Sequence, residues 1–182
     1  MSHRVDPGFG GERALGDKCA LPSSLYTGVR YKPLLTGGMA LLAGGAMPLA
    51  FAPVGWAWLA VIALATFFVL TAQSSRRQAL WSAYLFGLGY FGVGVSWVFI
   101  SISQYGNGPV VAVLVTAAFV SLLALFPWGV AYLVRCLRPE MDAMALWLGL
   151  PAAWVLSEWM RTWFLTGFPW LFIGYSQTDT TL

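Results

Sequence analysis

QALWSAYLFGLGYFGVGVSWVFISISQYGNGPVVAVLVTAAFVSLLALFPWGVAYLV, from Gln78 to Val134, is a run of 57 residues without a single Asp, Glu, Lys or Arg. Just upstream, beyond Arg76 and Arg77, residues 33–75 form a second uncharged run of 43. Neither stretch can supply a surface that faces water. Across all 182 residues only 9% are charged and 59% are hydrophobic, against about 25% charged in an average soluble domain. Soluble globular, disordered, collagenous and disulfide-framework classes are excluded. The expected fold is an all-α integral membrane protein, since a chain in hydrocarbon must bond its own backbone groups.

A hydrocarbon core of about 30 Å takes about 20 apolar helical residues to cross. Five transmembrane helices are predicted, at about residues 34–51, 54–72, 78–100, 109–134 and 143–164, within a helical bundle over 33–164. The first is short, glycine-rich and interrupted by Pro48, and a tight turn at Pro53 joins it to the second. Basic residues set the orientation. Arg30, Lys32, Arg76, Arg77, Arg135 and Arg138 flank the helices on one side, six in all, while the loops around 52–53 and 101–108 contain none. The N-terminus is therefore placed in the cytoplasm and the end of the fifth helix outside. Trp56, Trp58, Trp97, Trp159 and Trp163 fall near the outer boundary and Trp81, Trp128 and Trp147 near the inner one, as in an aromatic belt. Trp154 alone falls near the midplane.

The formal charge of +3 does not point to nucleic acid, because the basic residues are spread over a tail, loops and one helix end instead of one exposed face. Residues 1–32 read as a polar cytoplasmic tail. Asp6, Glu12 and Asp17 and the lack of an apolar core argue against a signal peptide. Asp17 and Lys18 before Cys19 argue against lipid attachment there. Cys19 and Cys136 lack partners at metal spacing, and His3, the only histidine, lies in the tail. Neither a metal nor a cofactor is expected.

Gly87, Gly89 and Gly92 match GxGxxG, but a dinucleotide site needs a strand before the motif and water around the pyrophosphate. Within an uncharged helix the same glycines serve packing. Gly87 and Gly94 share one face and Gly89, Gly92 and Ser96 another, so neighbouring helices can approach closely on both sides. The third helix is expected at the centre of the bundle. Glu158 and Arg161 are the only charged residues within a predicted span, at a spacing that allows pairing. They can form a structural ion pair or help to handle a polar headgroup at the outer interface. The stretch that follows, residues 165–177, is apolar and aromatic but broken by Gly167, Pro169 and Gly174, which suits an interfacial or partly re-entrant segment.

Three blocks resemble the apolipoprotein N-acyltransferase family. They are Leu49-Ala-Phe-Ala-Pro53 with Gly55-Trp56, the glycine-rich run from Phe86 to Ile102, and Glu158-Trp-Met-Arg161 followed by Thr166-Gly-Phe-Pro-Trp170 and Gly174-Tyr-Ser-Gln177. Their order and spacing match over about residues 34–177. The resemblance implies a multi-pass enzyme of the bacterial inner membrane that completes lipoprotein maturation. Its partners would be a phospholipid acyl donor, a diacylglyceryl lipoprotein acceptor and the bilayer, with the oligomeric state left open. The acyl chain would pass through a thioester on a cysteine of a nitrilase-like domain, to which a glutamate and a lysine also contribute.

No counterpart of that cysteine, glutamate or lysine is found in these 182 residues, so no catalytic residue is assigned. Gly167, Phe168, Pro169, Trp170, Tyr175 and Gln177 are the candidate substrate-binding residues, with Glu158 and Arg161 in support. The 165–182 segment is expected on the periplasmic side and as the truncated start of a longer product. The alternatives are an inactive truncated product and a non-enzymatic membrane transport or assembly subunit. Against a transporter stand the lack of an internal repeat and the gathering of polar features at one edge.

Overall fold

The computed structural model describes residues 33–105, 108–164 and 167–178, all within one compact unit, Tyr31–Leu182. The predicted tail with His3 and Cys19 lies outside the described residues, as do Thr166 and the last residues of the outer segment. Everything described is helix, turn or irregular chain, with no strand among the described residues.

Helix α1 spans Pro33–Ala46 and tightens into a 3-10 turn at Met47–Ala50, where Pro48 has no N–H for the Gly44 carbonyl. After the turn at Pro53, α2 runs over Ala57–Gln73. Ser75 then caps α3, Arg76–Gly94, its hydroxyl accepting from the Gln78 amide at 3.4 Å. The chain bends by 49° into α4, Ser96–Tyr105. Helices α5, Gly108–Leu123, and α6, Leu125–Leu137, form one 30-residue rod with a break at Ala124, where Pro127 denies a donor to the Leu123 carbonyl. A π turn at Ala145–Gly149 leads into α7, Leu150–Arg161. Pro151 likewise leaves the Trp147 carbonyl without its usual donor, and the helix widens there. A 3-10 turn, Ile173–Gln177, follows.

Each of the five predicted spans falls on helix, but with different limits. Two helical stretches, Pro33–Ala50 and Gly108–Leu137, are long and apolar enough to cross a membrane, and the bent α3–α4 pair makes a third where its two arms are counted as one span. Helix α2 is apolar but shorter, and α7 begins after a π turn and contains Glu158 and Arg161. In the third predicted span the chain resumes as helix beyond the bend and continues past residue 100 to Tyr105. The fifth ends at Arg161, short of residue 164.

Helix α3 is central, packing on α1, α2, α5 and α6. Its glycines explain how. A Cβ on Gly89 would overlap the Leu41 carbonyl of α1, one on Gly44 would overlap the Phe86 carbonyl, and one on Gly87 would lie 2.7 Å from the Ala124 Cα. Backbone meets backbone on two sides, as the GxGxxG spacing suggested. The core is aromatic, with Phe67, Phe86, Tyr90, Phe91 and Trp154 buried together. Large apolar side chains face outward over much of α1, α2 and α5, Leu34, Val61 and Val110 among them.

Candidate functional site

The end of α7 gathers several polar groups of this apolar bundle. Arg161 is the largest fully buried side chain among the described residues, at 2% exposure. The i, i+3 spacing brings its Nη2 to 3.7 Å from Glu158 Oε1. Instead of reaching out to the interface, the guanidinium points inward, with Phe172, Phe91 and Phe126 around it at 5.0, 5.3 and 5.9 Å. Aromatic faces attract a desolvated cation, so the charge is held by rings as well as by Glu158.

The same two side chains hold the segment that follows. Arg161 Nη1 donates to the Trp170 carbonyl at 3.1 Å. Glu158 Oε1 accepts from the Ile173 amide at 2.9 Å and from Trp154 Nε1 at 3.0 Å. The Tyr90 hydroxyl of α3 donates to the Leu171 carbonyl. Groups from two helices thus fix the backbone of Trp170, Leu171 and Ile173. The Arg161 carbonyl accepts from the Phe168 amide at 2.7 Å, which folds the chain back over the helix end.

Gly167 makes that fold possible. Its φ is +85°, a left-handed conformation that glycine adopts without penalty, and a Cβ there would overlap the Thr162 carbonyl. Phe168 is half-buried and packs edge-on against Phe119 of α5 at 5.2 Å. Pro169 is exposed. Trp170 is 52% exposed and pairs with Trp97 of α4, ring centroids 6.0 Å apart. Tyr175 is exposed and stacks on Phe172 at 5.8 Å. Gln177 turns elsewhere, its Nε2 donating to the Ala57 carbonyl at the start of α2 at 3.4 Å and to Ser176 Oγ at 3.0 Å.

Phe168, Pro169, Trp170 and Tyr175 therefore lie along one aromatic segment, while Gln177 ties its far end to α2. Sequence reasoning left out Tyr90, Trp154 and Leu171. A phenol deep within an uncharged predicted span was a usable signal for the first, since a buried hydroxyl needs a partner. The arrangement is suited to holding a shaped apolar face, with Glu158 and Arg161 engaged by the backbone and by each other. Among the described residues no three His, Cys, Asp or Glu side chains come together to hold a metal ion.

The apolipoprotein N-acyltransferase N-terminal domain matches residues 43–182 as a family model. The chain is 47% identical over 155 residues to the apolipoprotein N-acyltransferase of Methylococcus capsulatus, which covers 79% of this chain and 29% of that protein. It is 43% identical over 147 residues to the protein of the same name from Coxiella burnetii, covering 79% of this chain and 30% of that one. For that of Vibrio parahaemolyticus the identity is 38% over 144 residues, with 79% and 28% covered. The chain thus spans less than a third of the length of these curated relatives.

Proposed function

The chain belongs to the apolipoprotein N-acyltransferase family, and from that premise we propose that it forms the membrane portion of a phospholipid-dependent N-acyltransferase of the bacterial inner membrane. It crosses the membrane five times, with its N-terminus in the cytoplasm and residues 165–182 on the periplasmic side. It presents a phospholipid donor and the diacylglyceryl-cysteine terminus of a lipoprotein to a nitrilase-like domain outside these residues. There a cysteine thiolate takes the acyl group as a thioester and releases the lysophospholipid. The α-amino group of the lipoprotein then attacks the thioester, forms the amide and frees the thiolate.

One observation supports this above others. A buried network of Tyr90, Glu158 and Arg161 holds an aromatic segment whose Trp170 and Tyr175 remain exposed. Burying charge is costly unless it is paired, and here the cost supports a surface feature instead of the core alone. Rigid, amphipathic aromatic rings at the edge of the bilayer suit a substrate with both apolar chains and a polar headgroup.

The test replaces the matching part of the Methylococcus capsulatus relative with this chain and follows a labelled acyl group from phospholipid to a diacylglyceryl-cysteine peptide. The chimera should transfer it, and Trp170→Ala should lower kcat/KM about tenfold, as expected for an aromatic anchor, with unchanged abundance in the membrane. A chimera that inserts normally but transfers nothing would overturn the proposal. Unchanged kinetics for both substrates would remove Trp170 from the site.

A further inference from the structure

Leu171 is conformationally unusual. Its φ is +58°, a region costly for leucine that persists only where the surroundings over-determine it. They do so from two sides. Its carbonyl accepts from the buried Tyr90 hydroxyl, and its buried side chain occupies the space where a Cβ on Gly94 would stand. Gly94 is the last residue of α3, at the 49° bend into α4. Trp97 follows three residues later, and Trp170 immediately precedes Leu171. One contact therefore lies at the root of both indoles of the half-exposed Trp97–Trp170 pair.

We infer that Leu171 is the positioning residue for this aromatic pair: seated on Gly94 at the bend between α3 and α4, it sets the two indoles relative to each other and gives the outer surface a rigid wall for a lipid acyl chain. A wall fixed beforehand binds with a smaller ordering cost than one assembled on contact. The geometric part stands on the contacts alone. Only the acyl chain as occupant rests on the lipid-handling function proposed above.

The test uses the full 182-residue chain in phospholipid vesicles, with Cys19→Ser and Cys136→Ser so that Trp97→Cys and Trp170→Cys supply the only thiols. A short bifunctional thiol reagent should join these two cysteines readily. Gly94→Val fills the seat and Leu171→Ala empties it. Each alone should slow cross-linking about tenfold, while the pair together exchanges equal numbers of carbons and should restore it to within about twofold. A purely structural role would make the double variant worse than either single one. Unchanged cross-linking in Leu171→Ala, or no recovery in the double variant, would overturn the inference. If Gly94→Val alone fails to fold, as read from lost helicity, the comparison of Leu171→Ala with the double variant still decides.

The occupant is tested separately, with the native tryptophans in place and phosphatidylethanolamine bearing a photoactivatable acyl chain. Label should reach the peptides containing Trp97 and Trp170, fall in Leu171→Ala and return in the double variant. Absence of label with normal cross-linking would overturn the acyl-chain occupant and count against the lipid-handling function, leaving the positioning role intact.

Discussion

Glu158 does two things with one oxygen, since Oε1 lies 3.7 Å from the Arg161 guanidinium and also accepts from Trp154 and Ile173. The two contributions can be separated. Glu158→Gln keeps an acceptor and loses the charge, whereas Glu158→Ala loses both and leaves the donors unsatisfied. Hydrogen exchange at the Ile173 amide should show the glutamine variant milder by about 1 kcal/mol or more. Equal costs would mean that charge alone holds the segment. Arg161→Ala should cost about 3–5 kcal/mol, the range for breaking a buried pair, seen as a loss of protein from the membrane. At this scale the sequence was half legible. The i, i+3 spacing announced a possible pair, but the carbonyls of Trp170 and Leu171 that Arg161 and Tyr90 hold are fixed by how the following chain folds back. No local pattern encodes that.

Helix packing turns on which glycine faces what. Gly89 and Gly92 look equivalent in GxGxxG, yet a Cβ on Gly89 would meet the backbone of α1, while one on Gly92 finds only Val120 Cγ1 at 4.0 Å. Gly89→Ala should therefore destabilise by about 1–3 kcal/mol, as overpacking does, and Gly92→Ala should be neutral or gain up to about 1 kcal/mol from helix propensity. Thermal stability in detergent would show the difference, and equal loss in both variants would mean that α1 approaches along a broader face. The close-packed character of α3 was legible from its small residues, and the difference between these two was not. Arg135 shows the reverse situation. In sequence it counts only toward orientation, but in the fold its guanidinium donates to the Thr71 and Ala72 carbonyls at 2.5 and 3.2 Å and to that of Ser74, capping the end of α2 from another helix. Those carbonyls have no intrahelical donor. Arg135→Ala should destabilise by about 2 kcal/mol, with faster exchange confined to the last turn of α2. Faster exchange throughout the bundle would mean that Arg135 supports more than that end.

The described helices, taken together, have two chemically distinct ends. At one, Arg76 Nη2 donates to Cys136 Sγ at 3.3 Å and Arg135 reaches Ser74. At the other, Gln177 reaches Ala57 and Trp97 meets Trp170. Arg76 and Arg135, which the sequence counts toward the cytoplasmic side because loop charge is a local property, lie together at the first of these ends. The 49° bend was not foreseen: Val95 and its neighbours are apolar, and it is Leu171, distant in sequence, that sits against the break. Arg76–Tyr105 and Gly108–Leu137 each cover 30 residues, about 45 Å of helix at 1.5 Å per residue against a hydrocarbon core of about 30 Å. In the topology proposed above, these two long arms tilt or project, and exposed Gln104 near the end of α4 suits projection on the Trp170 side. Orientation can be read with thiols. In a Cys19→Ser background, a membrane-impermeant maleimide should reach exposed Cys136 only in inside-out vesicles. Tyr175→Cys, placed in a chain lacking both native cysteines, should react only in right-side-out ones. The opposite pattern would put the aromatic segment in the cytoplasm and overturn the proposed topology. Labelling of both positions from one side would contradict passage of the chain through the membrane between the two ends.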